Sequence, residues 1–339
     1  MPEVWLPYGR VEVSASLSTD RLGPILRPEF GEPLPIEALK EEIEGLGLKG
    51  KVAVLGKGVP DRLLEEVKNA LRELGVEPLA LGRLKPKRSV LIDGANIELP
   101  EPGKLLVVSC LRPDGFFGVY CPTSALVEAL GEGVMGEVFK RFEGSPEPLE
   151  ETGALWFSRR VAEELGALGL GILLERGIRW VRGGEPGKVA EEGMRMLKES
   201  ATKRIRGMGL VASPGFEEKG SLASCLKAMW NVSGLRDGSG LLMLCESSGG
   251  LGSRALELYM RGLIKEGHRG YVEGLEDLVM LKEVGKRLKL GLVSGLPLLY
   301  VKKLGFEPFR SLSEGVESLK GYGRLSFAPE ASLTVVRSR

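Results

Sequence analysis

The residues best suited to chemistry lie in ESSGGLGS (246–253) and in the helical segment ahead of it, SCLKAMWNVSGL. Gly249, Gly250 and Gly252 precede Ser253 and Arg254 at a helix start. Such a loop bares backbone N–H groups and sets a helix N-terminus where a carboxylate or phosphate can be held. Ser247, Ser248 and Ser253 add hydroxyls to it. The spacing is not G-x-G-x-x-G, and no Walker sequence follows a strand, so a plain tight turn is the competing reading. Lys227 interrupts an apolar helix face beside Cys225, Leu226 and Met229. It either snorkels to solvent or reinforces an anion site.

The elements that must position these residues follow from hydrophobic periodicity. Between Gly207 and Leu263 a short apolar run, a helix, a second apolar run (GLLMLC) and a second helix succeed one another. That is the β-α-β-α order of a parallel, doubly wound sheet, whose ligands bind beyond the strand carboxyl ends. Ser213–Lys219 and Glu246–Ser253 are therefore expected at one rim. The first half repeats the order: KVAVLG, the helix PDRLLEEVKNALREL, then EPLALG. Around these we expect a hairpin turning at Pro7 to Gly9, an extended proline-rich connection over 20–35, and a helix from about Pro35. Strands are expected at Ser89–Asp93 and Lys104–Cys110, and a helix after LRPDGFFGVYCPTSAL with Thr123 or Ser124 as N-cap. A second hairpin should turn at Arg176-Gly177. The polar stretch SATKRIRG is the domain boundary. The fold class is α/β, with two α/β domains, 1–200 and 206–339, and a ligand cleft between them.

Composition narrows the function classes. The 339 residues carry 47 basic and 46 acidic side chains, a net charge of +1, which gives no electrostatic case for nucleic acid or an acidic membrane. No apolar run reaches membrane length and no signal peptide opens the chain, so a cytoplasmic protein is expected. Cys110, Cys121, Cys225 and Cys245 show no C-x-x-C spacing, and no metal site is expected from them. Three asparagines, no glutamine and abundant charge point to a thermophile. His268 is the sole histidine, in a polar glycine-punctuated stretch. That excludes the Ser-His-Asp triad, the H-E-x-x-H zinc site and multi-histidine metal sites.

The order of segments resembles the nickel-dependent lactate racemase family. The likeness runs collinearly through LPYG (6–9), KVAVLGKGVPDRLLEEVKNAL, GFFG (115–118), ILLERGIRWVRGGEPGKVAEEG and SCLKAMWNVSGL with GLLMLCESSGGLGS. It implies two α/β domains and a site for a small 2-hydroxy acid or related carboxylate, with Lys227 on the family's substrate-binding lysine. The family's cofactor is a nickel-pincer nucleotide tethered to a lysine and ligated by histidine. Here Ala125 falls on the tethering lysine, and the Asp-His-Thr-Arg-Pro motif is replaced by GKGVP, with Lys57 near the arginine's place. The family's histidines are absent. The expectation is a lactate-racemase-like fold that binds a carboxylate or phosphate through Lys57, Lys227 and the 246–253 loop. It acts as a divergent isomerase, with Lys57, Lys227 and the loops 112–124 and 246–254 lining the cleft, as a non-catalytic small-molecule or nucleotide-binding protein, or as a structural partner.

Overall fold

The computed structural model describes residues 2–80, 84, 87–100, 103–142, 148–215, 220–265, 268 and 270–339. The expected loop residues 216–219 lie outside them. The chain folds as two compact units, one of Phe30–Glu199 and one of Met1–Glu29 with Ser200–Arg339.

In chain order, the first segment holds β1 (Glu3–Tyr8), β2 (Val11–Ser16) and β3 (Leu22–Ile25). The Phe30–Glu199 unit follows with α1 (Ile36–Gly45), β4 (Gly50–Lys57), α2 (Asp61–Glu73), β5 (Val76–Ala80), β6 (Arg88–Ile92), β7 (Ala95–Leu99) and β8 (Leu105–Cys110). It continues with β9 (Arg112–Asp114), β10 (Gly118–Tyr120), α3 (Pro122–Leu130), α4 (Glu132–Phe139), α5 (Gly153–Glu164), β11 (Leu168–Leu174), β12 (Ile178–Gly184) and α6 (Pro186–Ala201). The last segment comprises β13 (Thr202–Ile205), β14 (Gly209–Ala212), α7 (Leu222–Val232), β15 (Gly240–Cys245), α8 (Arg254–Met260), α9 (Leu275–Arg287) and β16 (Lys289–Ser294). It ends with α10 (Leu298–Lys303), β17 (Glu307–Phe309), α11 (Leu312–Ser318), β18 (Leu325–Ala328) and β19 (Val335–Ser338).

The Phe30–Glu199 unit is built on a five-stranded sheet of order β12-β11-β8-β4-β5. All neighbours run parallel except β11 and β12, the expected hairpin. Its turn uses Arg176 at φ 52° and Gly177 at φ 138°. The leucine and isoleucine stripe of α1 and the valine and leucine stripe of α2 bury Leu39, Ile43, Val67 and Leu71 against Val52, Val54, Leu106 and Ile172. Both sheet faces are covered, so β8 carries a continuous apolar run rather than an alternating one.

The other unit has six parallel strands in the order β17-β16-β15-β14-β18-β3. The β1-β2 hairpin and α11 cover one face, where Leu6, Leu17, Val211, Leu242, Leu244, Val316 and Phe327 form the core. Parallel sheets occur in both halves, as an α/β chain of two β-α-β runs demands.

Four expectations are corrected. Residues 1–29, assigned on the sequence to the first domain, pack with Ser200–Arg339, because β3 pairs with β18 through Leu22↔Leu325. The proline-rich stretch 20–35 therefore contains a strand. SATKRIRG is not a bare connector: its Thr202–Ile205 is β13, paired with β19. Helix α3 is capped neither by Thr123 nor by Ser124 but starts after Cys121 with Pro122 in its first turn.

Candidate functional site

In the Phe30–Glu199 unit, β5 lies on one side of β4 and β8 on the other, so the strand order reverses between β4 and β8. Ligands of open α/β sheets bind beyond the carboxyl ends at such a switch point. Lys57 ends β4 and is in register with Ser109, three residues before Arg112. The loop that follows folds back as the short β9-β10 ribbon, pairing Arg112 with Tyr120. Asp114 sets the turn, accepting hydrogen bonds from the Phe116 and Phe117 amides at 2.9 Å each.

This folding brings together a polar group that the sequence did not assemble. Lys57 Nζ pairs with Glu128 Oε2 at 2.9 Å. The Tyr120 hydroxyl donates to that same oxygen at 3.0 Å. Arg112 lies over the Tyr120 ring, its guanidinium carbon 4.5 Å from the centroid. Its Nε is buried without a hydrogen-bond partner, and its guanidinium pairs with no carboxylate among the described residues. Gly58 brings the backbone close to the ring: a Cβ there would lie 3.3 Å from Tyr120 Cε1.

Burial, first, and then the Glu128 charge push the Tyr120 hydroxyl well above its ordinary value of 10.0. Burial also pushes the Cys110 thiol up to about 11, against the opposing effect of Arg112. Both groups stay protonated at neutral pH. The arrangement can fix an anion and read a hydroxyl, but neither of these two groups is poised to remove a proton.

In the other unit, the 246–253 loop follows β15 as expected and closes onto the start of α7. Gly249 N–H donates to Gly220 O, Gly250 N–H to Ser247 O, and the Leu222 and Ala223 amides return to Gly250 O and Leu251 O. Those loop donors are thus committed within the protein. Ser247, at φ 56°, contacts Cys245 Sγ at 3.0 Å and accepts from Ser294 Oγ at 3.1 Å. Ser248 Oγ donates to Glu246 Oε2 at 3.4 Å. Ser253 caps α8 by accepting from the Leu256 amide at 3.2 Å. Gly252 has no room for a side chain, since a Cβ would meet Ser221 Oγ at 2.2 Å. Burial, the Cys245 charge and the Glu246 charge, in that order, raise the Tyr8 hydroxyl's pKa at this rim. Lys227 sits half-buried in the middle of α7, among buried Leu226, Ala228 and Trp230. Lys57 and Lys227 thus belong to different units.

No family model matches the sequence, and no curated protein matches it. Solved structures do match. The structure of the lactate racemase apoprotein from Thermoanaerobacterium thermosaccharolyticum aligns with a TM-score of 0.77 at 15% identity, covering 99% of this chain and 100% of that one. A protein from Thermotoga maritima aligns with a TM-score of 0.58 at 12% identity, over 91% of this chain and 100% of its own. The chain is an α/β protein with the lactate racemase fold. At these identities the likeness carries the fold alone.

Whether the nickel-pincer nucleotide suits this chain is a question of donors. Ala125, on α3, is fully buried and offers only a methyl group. The neighbouring Cys121 thiol is buried and lies 3.1 Å from Thr123 Oγ1. His268 is exposed, in the segment between α8 and α9. Among the described residues no three His, Cys, Asp or Glu side chains gather into a metal site. A cofactor that needs several histidines does not fit this donor set.

Sequence reasoning placed the 112–124 loop at the site without singling out Arg112 or Tyr120, and it missed Glu128. The signal for Arg112 was its place just beyond the carboxyl end of the strand Lys104–Cys110. No helix among the described residues is long and apolar enough to cross a membrane.

Proposed function

We propose that the chain binds a small 2-hydroxy acid or related carboxylate at the carboxyl-end rim of β4 and β8, without nickel-pincer hydride transfer. The observation that carries this reading is Arg112, held over the Tyr120 ring with no carboxylate to pair with among the described residues. A planar guanidinium so fixed is a two-pronged receptor for a carboxylate. Lys57, Glu128 and Tyr120 provide both donors and an acceptor for an adjacent hydroxyl. The high affinity of Tyr120 and Cys110 for their protons favours binding over acid-base turnover.

A second reading, a divergent isomerase for such an acid, is favoured by the whole-length match to the racemase apoprotein. Calorimetric titration with D- and L-lactate, malate and acetate tests the binding. Saturable binding of the hydroxy acids above acetate supports the site, and no heat from any of them refutes it. Chiral analysis of L-lactate incubated with the protein separates the two readings, because only an isomerase inverts C2.

A further inference from the structure

At the opposite end of the six-stranded sheet, by the amino ends of β14 and β18, is a cavity of about 630 Å³. Arg204, Arg206, Arg324 and Arg339 line it, with Gly207 and Ser326. The four arginines come from three separate parts of the chain: β13 and the residue after it, the residue before β18, and the residue after β19. Register also sets Arg204 directly opposite Arg337 on β19.

None of the four lining guanidinium groups pairs with a carboxylate among the described residues. The main-chain carboxyl oxygen of Arg339 is taken by Arg236 Nη2 at 2.5 Å. Arg324 is anchored by its Nε and Nη2, which donate to Leu22 O at 3.0 and 2.8 Å. That fixes the guanidinium and leaves its remaining N–H groups for a ligand. A second observation points the same way. Ser326 is only 3% exposed, faces this cavity and has no hydrogen-bond partner for its hydroxyl among the described residues.

We propose that this cavity is a binding site for the oligophosphate chain of a small molecule. Four guanidinium groups exceed the charge of a single phosphate, roughly −2, whereas a di- or triphosphate offsets most of it. Arginine forks suit phosphate oxygens, and the volume lies within the roughly 300–1,000 Å³ of small-molecule sites. The site is independent of the carboxylate site on β4 and β8.

Calorimetry on the full chain with inorganic phosphate, pyrophosphate, ATP and an oligothymidylate tests it. Pyrophosphate and ATP should bind saturably, at least about tenfold more tightly than phosphate, and more weakly as salt rises. Equal affinities for pyrophosphate and ATP mean that the phosphate chain alone is read, and tighter ATP binding means that the nucleoside is read as well. The exposed pair Arg204→Glu and Arg206→Glu should abolish binding, and Ser326→Ala should weaken it severalfold without shifting Tm. Binding of neither pyrophosphate nor ATP, binding undiminished in both variants, or an oligothymidylate that displaces ATP would each overturn the proposal.

Discussion

Arg112 stacks on Tyr120 across the two-stranded β9-β10 ribbon, in which the two residues are register partners. The ring face attracts the guanidinium and limits where it can sit. Arg112→Lys should therefore not rescue carboxylate binding, because an ammonium neither stacks as a plane nor offers a fork. Both Arg112→Ala and Arg112→Lys should weaken lactate binding by about tenfold or more, with Arg112→Lys folding normally. Calorimetric affinities equal to wild type would remove Arg112 from the site.

Glu128 raises the Tyr120 pKa through its charge, after burial has raised it already. Glu128→Gln should lower the Tyr120 pKa while leaving it above 10, since the burial remains. Spectrophotometric titration of phenolate, compared with the same variant carrying Tyr120→Phe, isolates this one ring. A Tyr120 titration unmoved by Glu128→Gln contradicts the geometry.

The raised Cys110 pKa makes stability depend on pH with a definite sign. A thiol that holds its proton more tightly when folded stabilises the protein below its unfolded pKa, and that contribution disappears as pH rises through the folded value. For Cys110 the window runs from its ordinary 9.0 to about 11. The full loss is about 2–3 kcal/mol. Urea denaturation of Cys110→Ala should show a shallower fall in stability across this window than wild type. Parallel curves would disprove the assignment.

Gly118 tests the loop that carries Tyr120. It sits at φ 81°, and a Cβ would lie 2.0 Å from Glu150 O. Gly118→Ala combines left-handed strain with a backbone clash and should cost about 3 kcal/mol or more. Gly94 has a similar φ of 79° but open space around it. Gly94→Ala should cost only about 1 kcal/mol. Equal losses in chemical denaturation would show that the clash at Gly118 is relieved by movement.

The sequence made local order legible and long-range pairing illegible. The β11-β12 hairpin is written in two apolar runs and a turn whose residues are adjacent in the chain. Strand β3 could not be read so, because Pro24 argues against a strand and its partner lies 300 residues away. As a sheet edge, β3 tolerates that proline. The same contrast holds for the sites. The 246–253 loop was visible as a glycine pattern, but which of its amides are already used depends on Gly220 and Ser247 in space. Lys57 emerged from resemblance to a motif. Arg112 and Glu128 did not, because their roles come from a ribbon that folds one back over Tyr120 and a helix that brings the other to Lys57.

The pairing of β3 with β18 also constrains how the protein is made. On the ribosome, the residues through Ile25 emerge long before Leu325, and the whole Phe30–Glu199 unit can fold in the interval. Until then β1, β2 and β3 have no sheet or core to join. The six-stranded sheet is thus completed only near the end of synthesis, by a contact of very high sequence separation, and its formation is correspondingly slow. A chain released early keeps an unpaired, apolar β14 edge open to other chains, which makes truncation, rather than point substitution, the route to its aggregation.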